Sequence, residues 1–233
     1  VNNCWYDGYL KATGNHVSQR GAGGIIGMYS DDVCTMSNCL NTGVIDATAY
    51  TYNQKENGTL IVPLTGGLIG QIYPDSQVNI DNCLNVGEVK VSEKALEGNI
   101  GFGAILGYTE GKVKITDTYA TTESCTRVSS GESVKIKGRI KQIDEAKIEG
   151  YGGYQWTFLN FDKYWAVVKN DTPILKTFAT NIPNQKFYIS SASSTDTKYY
   201  RLYREFAKRQ LMGDRDYCVV QVSCDVVLNP TIR

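Results

Sequence analysis

Few residues in this 233-residue chain could carry out catalysis. His16 is the single histidine, so a Ser-His-Asp or Cys-His arrangement would have to include it, with Asp7 and Ser18 as its nearest candidate partners. The adjacent acids Asp31-Asp32 and Asp144-Glu145 would point to opposite sides of a strand or lie in turns, whereas glycoside hydrolysis needs two carboxylates that face the same sugar. These patterns favour solvated loop residues, and we predict that the chain is not an enzyme.

Seven cysteines form the second group of reactive residues. Cys4, Cys39 and Cys83 occupy the same place in related segments, and no pair of cysteines has the C-x2-C spacing of a zinc site. Stacked parallel strands lie about 4.8 Å apart, which exceeds the usual Cβ–Cβ distance of about 3.8 Å in a disulfide. We therefore predict reduced, buried thiols that pack as small apolar residues, with no bound metal or cofactor.

The cysteines belong to an internal repeat, which is the main feature of the sequence. The copies are GGIIGMYSDDVCTMSNCLNTGVI from Gly23, GGLIGQIYPDSQVNIDNCLNVGEV from Gly66 and the diverged GAILGYTEGKVKITDTYATTE from Gly103. The first residues, VNNCWYDGYLKATG, match only the second half of a copy, so we expect further repeats upstream. Spacing is nearly constant inside the copies and varies between them, which is typical of stacked units whose loops project on one side.

The pattern inside each copy favours short β-strands. Polar and apolar residues alternate in segments such as QVNID, 77–81, and glycines recur where a corner needs positive φ or close approach of two backbones. We predict that Asn3, Asn38 and Asn82, with Asp117 in the fourth place, stack as a side-chain ladder at one corner. The positions predicted to build the repeats are Asn3, Cys4, Gly24, Gly27, Asn38, Cys39, Gly43, Gly67, Gly70, Asn82, Cys83, Gly87 and Gly107.

The pairing of GG-apolar-apolar-G with NCLNxG resembles the GLUG repeat of bacterial surface proteins, over about residues 1–122. The resemblance implies an extracellular or cell-surface stalk or adhesive module. The third copy departs from the pattern, because it has Gly-Ala for Gly-Gly and Asp-Thr-Tyr for Asn-Cys-Leu. The segment Tyr154 to Lys176 resembles the aromatic segment that closes such arrays, and it implies that Trp165, Pro173 and Leu175 cover the end of the core.

Glycine becomes rare after about Thr177, and the following residues predict a strand, a helix that ends at Gly213, and a second strand. This tail is similar to part of the ATPase domain of phage large terminase subunits, with Ser190 to Ala192 in the place of the segment that follows the acidic ATPase motif. The chain lacks the phosphate-binding motif, because GYTEGKV from Gly107 has one residue too few between its glycines and valine where the magnesium-binding hydroxyl belongs.

The charge balance argues against two classes of partner. The 24 basic and 24 acidic residues give no net charge that would favour nucleic acid, and no apolar run is long enough to predict membrane insertion. The expected fold is mainly β: a right-handed parallel β-helix of glycine-rich repeats over 1–122, an aromatic closing segment over 123–178, and a short α/β tail over 179–233.

The expected function is that of a non-catalytic module in a bacterial surface or secreted adhesin-like protein. The module would bind a host or matrix protein or a glycan, or it would serve as a stalk. Two alternatives stay open: a β-helix enzyme that degrades polysaccharides, which needs carboxylates on one face, and a fusion or fragment that carries part of a DNA-packaging terminase.

Overall fold

The computed structural model describes residues 1–13, 21–49, 62–98, 101–129, 140–150, 152–168 and 171–178. His16 and the predicted tail, 179–233, lie outside these residues. The chain divides into two compact units: Val1–Glu145 with Thr157–Leu159, and Ala146–Trp156 with the residues from Asn160 onward. The repeats therefore share one unit with the residues that follow them up to Glu145.

The described chain is mainly β. In chain order the strands of the first unit are β1 (Trp5–Tyr6), β2 (Tyr9–Lys11), β3 (Gly21–Gly23), β4 (Ile26–Tyr29), β5 (Val33–Ser37), β6 (Leu40–Asn41), β7 (Val44–Asp46), β8 (Leu64–Gly66), β9 (Ile69–Ile72), β10 (Gln77–Asp81), β11 (Leu84–Asn85), β12 (Val89–Lys90), β13 (Phe102–Gly103), β14 (Leu106–Thr109), β15 (Lys112–Thr116), β16 (Thr118–Thr121) and β17 (Ile140–Ile143). A short helix, α1 (Glu93–Gly98), follows β12.

These strands form parallel sheets that take one strand from each repeat. The strand orders are β3-β8-β13, β4-β9-β14, β5-β10-β15, β2-β7-β12 and β1-β6-β11-β16-β17. Equivalent positions lie opposite one another, so that Val78 pairs with Cys34 on one side and with Val113 on the other. Each side chain therefore stands beside its own counterpart in the next repeat.

The alternation along β10 and β15 places every second side chain of these strands in the core. In β10, Val78 and Ile80 are buried whereas Gln77 and Asp81 are exposed, and β15 follows the same pattern. Burying one aliphatic side chain of this size contributes about 2 kcal/mol to stability. The core is thus a set of apolar columns that runs across the repeats.

The second unit contains α3 (Gly152–Trp156) and the strands β18 (Trp165–Ala166) and β19 (Ile174–Leu175), which pair antiparallel. The helix α2 (Glu145–Ile148) begins at Glu145 of the first unit, and its other residues belong to the second. A 3-10 turn, Lys176–Phe178, follows β19. Trp165 and Leu175, which belong to this unit, are fully buried. Tyr154 packs edge-on against Phe161, with ring centroids 5.8 Å apart. That these residues cover the end of the repeat core stays a prediction.

Candidate functional site

The predicted asparagine corner has an unusual backbone conformation. Asn3, Asn38 and Asn82 have φ of 53°, 51° and 52°, and Asp117 has φ of 39°. Asn and Asp are the non-glycine residues that tolerate this left-handed region best, because their short polar side chains can bond locally. The left-handed backbone conformation is therefore the main reason why Asn or Asp occupies this corner.

The side chains at this corner form a hydrogen-bonded ladder, in which Asn2 takes the place predicted for Asn3. Nδ2 of Asn82 donates to Oδ1 of Asn38 at 2.5 Å, but Nδ2 of Asn38 donates to Oδ1 of Asn2 at 2.7 Å. The predicted partner, Asn3, is left with a buried Oδ1 that has no partner in the described chain. Asn2 forms a bridge with Ser37 of β5, so its side chain occupies the place predicted for Asn3.

The stacked cysteines form a hydrogen-bonded column. The thiols of Cys4, Cys39 and Cys83 each donate to the carbonyl two residues earlier, and the hydroxyl of Thr118 does the same in the third repeat. In return, Sγ of Cys83 accepts from the backbone N–H of Cys39 at 3.3 Å, and Oγ1 of Thr118 accepts from that of Cys83 at 3.3 Å. These thiols are thus polar links as well as core residues.

All the described cysteines are free thiols. Cys39, Cys83 and Cys125 are buried, whereas Cys4 and Cys34 are only partly buried. Burial raises the pKa of the Cys83 thiol well above its ordinary value. The proton that this thiol donates is therefore retained at neutral pH.

A second asparagine ladder, absent from our sequence-based predictions, lies inside the core. Asn41 and Asn85 are fully buried. Nδ2 of Asn41 donates to Oδ1 of Asn85 at 2.6 Å, and Nδ2 of Asn85 donates to the carbonyls of Gly87 and Ala104 at 3.1 and 2.8 Å. The Asn-x-Gly sequence in both NCLNxG copies could have indicated this ladder. Oδ1 of Asn41 and of Asn85 each also accept a hydrogen bond from the N–H of the glycine two residues later.

All the predicted glycines except Gly27 are required by close packing. Of the described glycines only Gly101 and Gly150 have positive φ, and neither belongs to the predicted set. A Cβ added to Gly67 would lie 2.1 Å from the carbonyl oxygen of Ala104 and 2.2 Å from Nδ2 of Asn85. One added to Gly27 would meet only the carbonyl oxygen of Gly21, at 3.2 Å. The need for glycine therefore differs between repeats.

The outward face of β5, β10 and β15, called here the outer grid, is a regular and mainly polar surface. Its rows, in strand order, are Val33, Gln77 and Lys112; Thr35, Asn79 and Lys114; and Ser37, Asp81 and Thr116. Although Asp81 is exposed, partial desolvation of its carboxylate raises its pKa; the charge of Asp117 adds to this effect and Lys114 opposes it. The outer grid thus presents two lysines on one strand and a carboxylate on the next.

Asp46 is the centre of another polar cluster. Its Oδ1 accepts from the N–H and hydroxyl of Thr48 at 2.9 and 2.6 Å, and its Oδ2 accepts from the hydroxyl of Tyr9. The Thr48 hydroxyl bond is the largest cause that lowers the pKa of Asp46 to about 2, and the Tyr9 bond comes next. All these donors come from the protein itself, so the cluster stabilises β2 and β7 against each other.

The other acids noted in the sequence do not converge. Asp31 and Asp32 are exposed, and Oδ1 of Asp31 accepts from the N–H of Asp32 at 2.9 Å. Within the described ranges, no three side chains of His, Cys, Asp or Glu come close enough together to hold a metal ion. The described helices are all too short or too polar to cross a membrane.

Comparisons of the chain with protein-family models, with curated proteins and with solved structures gave no match. The repeat columns, the outer grid and the Asp46 cluster are therefore the observations on which a functional proposal rests.

Proposed function

We propose that this chain is a non-catalytic repeat module of a bacterial cell-surface or secreted adhesin-like protein, in which the described repeats form a right-handed parallel β-solenoid. The observation that carries the proposal is the in-register stacking of three consecutive repeats in parallel sheets. A stack of this kind extends by adding repeats while its contacts stay the same. It therefore suits a protein that holds a binding surface away from the cell.

The contacts between repeats support the role of a stalk. The buried asparagine pair, the thiol column and the backbone hydrogen bonds all join one repeat to the next, as in the bond from Asn41 to Asn85. A buried polar group that loses its partner costs about 1–3 kcal/mol, so sliding or separating two repeats breaks several such contacts at once. The stack is thus held together mainly along the direction in which it grows.

The outer grid is the surface we propose for ligand binding, with a host or matrix protein or a glycan as the ligand. Neighbouring members of each row lie on adjacent strands about 4.8 Å apart, which presents polar groups at regular intervals. Lys112 and Lys114 are exposed on one strand, and Asn79 and Gln77 offer amides on the next. Such a surface suits an extended partner with acidic groups and hydroxyls.

The proposal is tested by binding the immobilised full chain to a panel of matrix proteins and glycans. We expect a ligand whose affinity falls about tenfold when Lys112 and Lys114 are both changed to alanine, which is the loss of about 1.4 kcal/mol from two charged contacts. The matched control changes Lys94 and Lys147, exposed lysines outside the grid, to alanine.

Two results would overturn the proposal. One is the release of new reducing ends from a polysaccharide on the panel, which would make the chain an enzyme. The other is equal weakening by the grid and control variants, which would show that net charge alone determines binding. Surface labelling of source cells checks the location separately, because a protein confined to the interior is not labelled by an impermeant reagent.

A further inference from the structure

Two kinds of hydrogen-bond donor lie side by side in the middle of the outer grid. β15 carries the ammonium groups of Lys112 and Lys114, and β10 carries the amides of Gln77 and Asn79 in register with them. All four side chains point outward, since the residues that alternate with them are buried. Adjacent strands lie about 4.8 Å apart, which is close to the length of one sugar ring. The middle of the grid thus offers two cations on one strand and two amides one sugar ring away.

The spacing along β15 allows its two lysines to share one acidic group. Two residues of a strand span about 6.8 Å, so a point midway between parallel side chains of Lys112 and Lys114 lies about 3.4 Å from each. A carboxylate oxygen at that distance is within the range of an ion pair with an ammonium group. Among the described residues, neither lysine forms an ion pair with an acid of the chain. One acidic group of a ligand therefore suffices to engage both cations.

Acidic side chains lie at both ends of these two strands. Asp75 and Glu110 are exposed and precede β10 and β15 by two residues. At the other end, Asp81 is the last residue of β10 and Asp117 follows β15. A linear chain of acidic groups that ran along β15 would meet carboxylates at either end and would be repelled by them. The favoured direction of a ligand is therefore across the strands, from the lysines of β15 to the amides of β10.

The composition of the grid favours a glycan over a protein. Protein interfaces are usually centred on apolar or aromatic side chains, and polar groups surround that centre. The outer grid has the opposite arrangement, because Val33 is its one apolar member and lies at its corner. Its centre is made of amides and ammonium groups, which pair with the hydroxyls and acidic groups of sugars.

We propose that the outer grid binds an acidic glycan that runs across the strands and in which an acidic sugar is followed by a neutral one. The acidic group lies between Lys112 and Lys114, and the polar groups of the neutral sugar bond to Gln77 and Asn79. This proposal rests on the proposed function, and it specifies the class of the ligand, its direction and the place of its charge.

The sharing of one acidic group is tested with a disaccharide of glucuronic acid and N-acetylglucosamine, which carries a single carboxylate. Nuclear magnetic resonance follows its titration into the full chain. Lys112→Ala and Lys114→Ala should each weaken binding about threefold, because the same carboxylate contacts both lysines. Lys147→Ala removes the same charge outside the grid and should leave binding unchanged. Circular dichroism checks that each variant is folded.

The place of the neutral sugar is tested with Asn79→Ala. This variant should weaken binding of the disaccharide about fivefold, because it removes hydrogen bonds to the N-acetylglucosamine. It should not change binding of glucuronic acid alone, which reaches only the lysines. A change that is equal for the two sugars would contradict a ligand that crosses from β15 to β10.

The order of acidic and neutral sugars is tested with three tetrasaccharides. Those of hyaluronan, polygalacturonate and chitin carry an acidic group on alternate sugars, on every sugar and on none. The hyaluronan fragment should bind about tenfold more tightly than the other two. The fully acidic fragment places a carboxylate over the amides beside Asp81, and the neutral fragment leaves both lysines without a partner.

Several results would overturn the proposal: no binding of any of these sugars, dependence of the disaccharide on only one of the two lysines, or binding of the polygalacturonate fragment as tight as that of the hyaluronan fragment. If a matrix protein binds through Lys112 and Lys114 and the glycans do not, the proposed function stands and the acidic glycan is refuted. If new reducing ends appear while the disaccharide still depends on both lysines, the non-catalytic function is refuted and the ligand stands.

Discussion

Gly27 and Gly70 hold the same position in successive repeats but have different surroundings. A Cβ on Gly70 would lie 2.4 Å from the backbone nitrogen of Ala22 and 2.5 Å from the carbonyl oxygen of Gly27, whereas a Cβ on Gly27 would meet only Gly21, at 3.2 Å. Alanine at position 70 therefore forces two backbones apart, whereas alanine at position 27 requires a small adjustment. The pair of substitutions isolates the effect of stacking from the general effect of replacing glycine.

The expected cost of Gly70→Ala follows from these distances. Restoring ordinary contact moves the two repeats apart by about 1 Å, which lengthens neighbouring hydrogen bonds of about 3.0 Å beyond their useful range. Losing two of them costs about 2 kcal/mol, and the strain of overpacking adds about 1–3 kcal/mol. We therefore expect Gly70→Ala to lower the free energy of unfolding by about 4 kcal/mol. Gly27→Ala should lower it by less than about 1 kcal/mol, because the reduced conformational freedom of the unfolded chain offsets the cost of the one close contact.

Urea unfolding followed by far-ultraviolet circular dichroism measures this difference. With a slope of about 2 kcal/mol/M, the midpoint should fall by about 2 M in Gly70→Ala and by less than about 0.5 M in Gly27→Ala. Tryptophan fluorescence should give the same midpoints if the transition has two states. Equal midpoints in the two variants would refute the claim that backbone contact between repeats explains the glycines.

Three further predictions concern single side chains. Asn85→Ala should lower the free energy of unfolding, measured with urea, by about 2–5 kcal/mol, because it leaves buried partners in two other segments without a hydrogen bond. The control, Asn79→Ala on the outer grid, should lower it by less than about 1 kcal/mol. Similar losses in the two variants would contradict the buried ladder. Cys83→Thr should be nearly neutral, since Thr118 already makes the same contacts in the third repeat, but Cys83→Val should lower the thermal midpoint because the N–H that donates to this sulfur loses its acceptor. The pKa of Asp46 is about 2 in the folded state, which is below its value in the unfolded chain, so the contribution of Asp46 to stability is complete above about pH 4 and is lost as the pH falls toward 2. Asp46→Asn should remove about 1 kcal/mol of this acid-dependent stability after solvent screening. An unchanged slope of stability against pH in this variant would argue against the cluster.

Comparison of the repeats predicted the local pattern better than the contacts between repeats. The alternation in 77–81 predicted which side chains of β10 are buried, and the recurring Asn predicted a corner. The sequence left positive φ and close packing as equal reasons for the glycines, and only the neighbouring backbone decides between them. The ladder of Asn41 and Asn85 was missed because the equivalent position is Tyr6 in the first segment and Ala120 in the third repeat, so its column is not evident from the alignment.

The shift at Asn3 could not be predicted for a different reason. It accompanies the bridge between Asn2 and Ser37, which is a contact between segments far apart in the chain. A repeat alignment treats each copy as equivalent. It therefore cannot predict a contact that only one copy makes.

The matching of like residues in every column has a consequence for folding. Because the contacts of one repeat resemble those of the next, a repeat that pairs one place too early still forms many favourable contacts, and such mispaired states compete with the native order. Residues that differ between copies break this equivalence: Thr118 replaces a cysteine and Ala104 replaces a glycine in the third repeat alone. The departures from the repeat pattern thus make each copy different from its neighbours, and the correct order of the repeats in the stack depends on these differences.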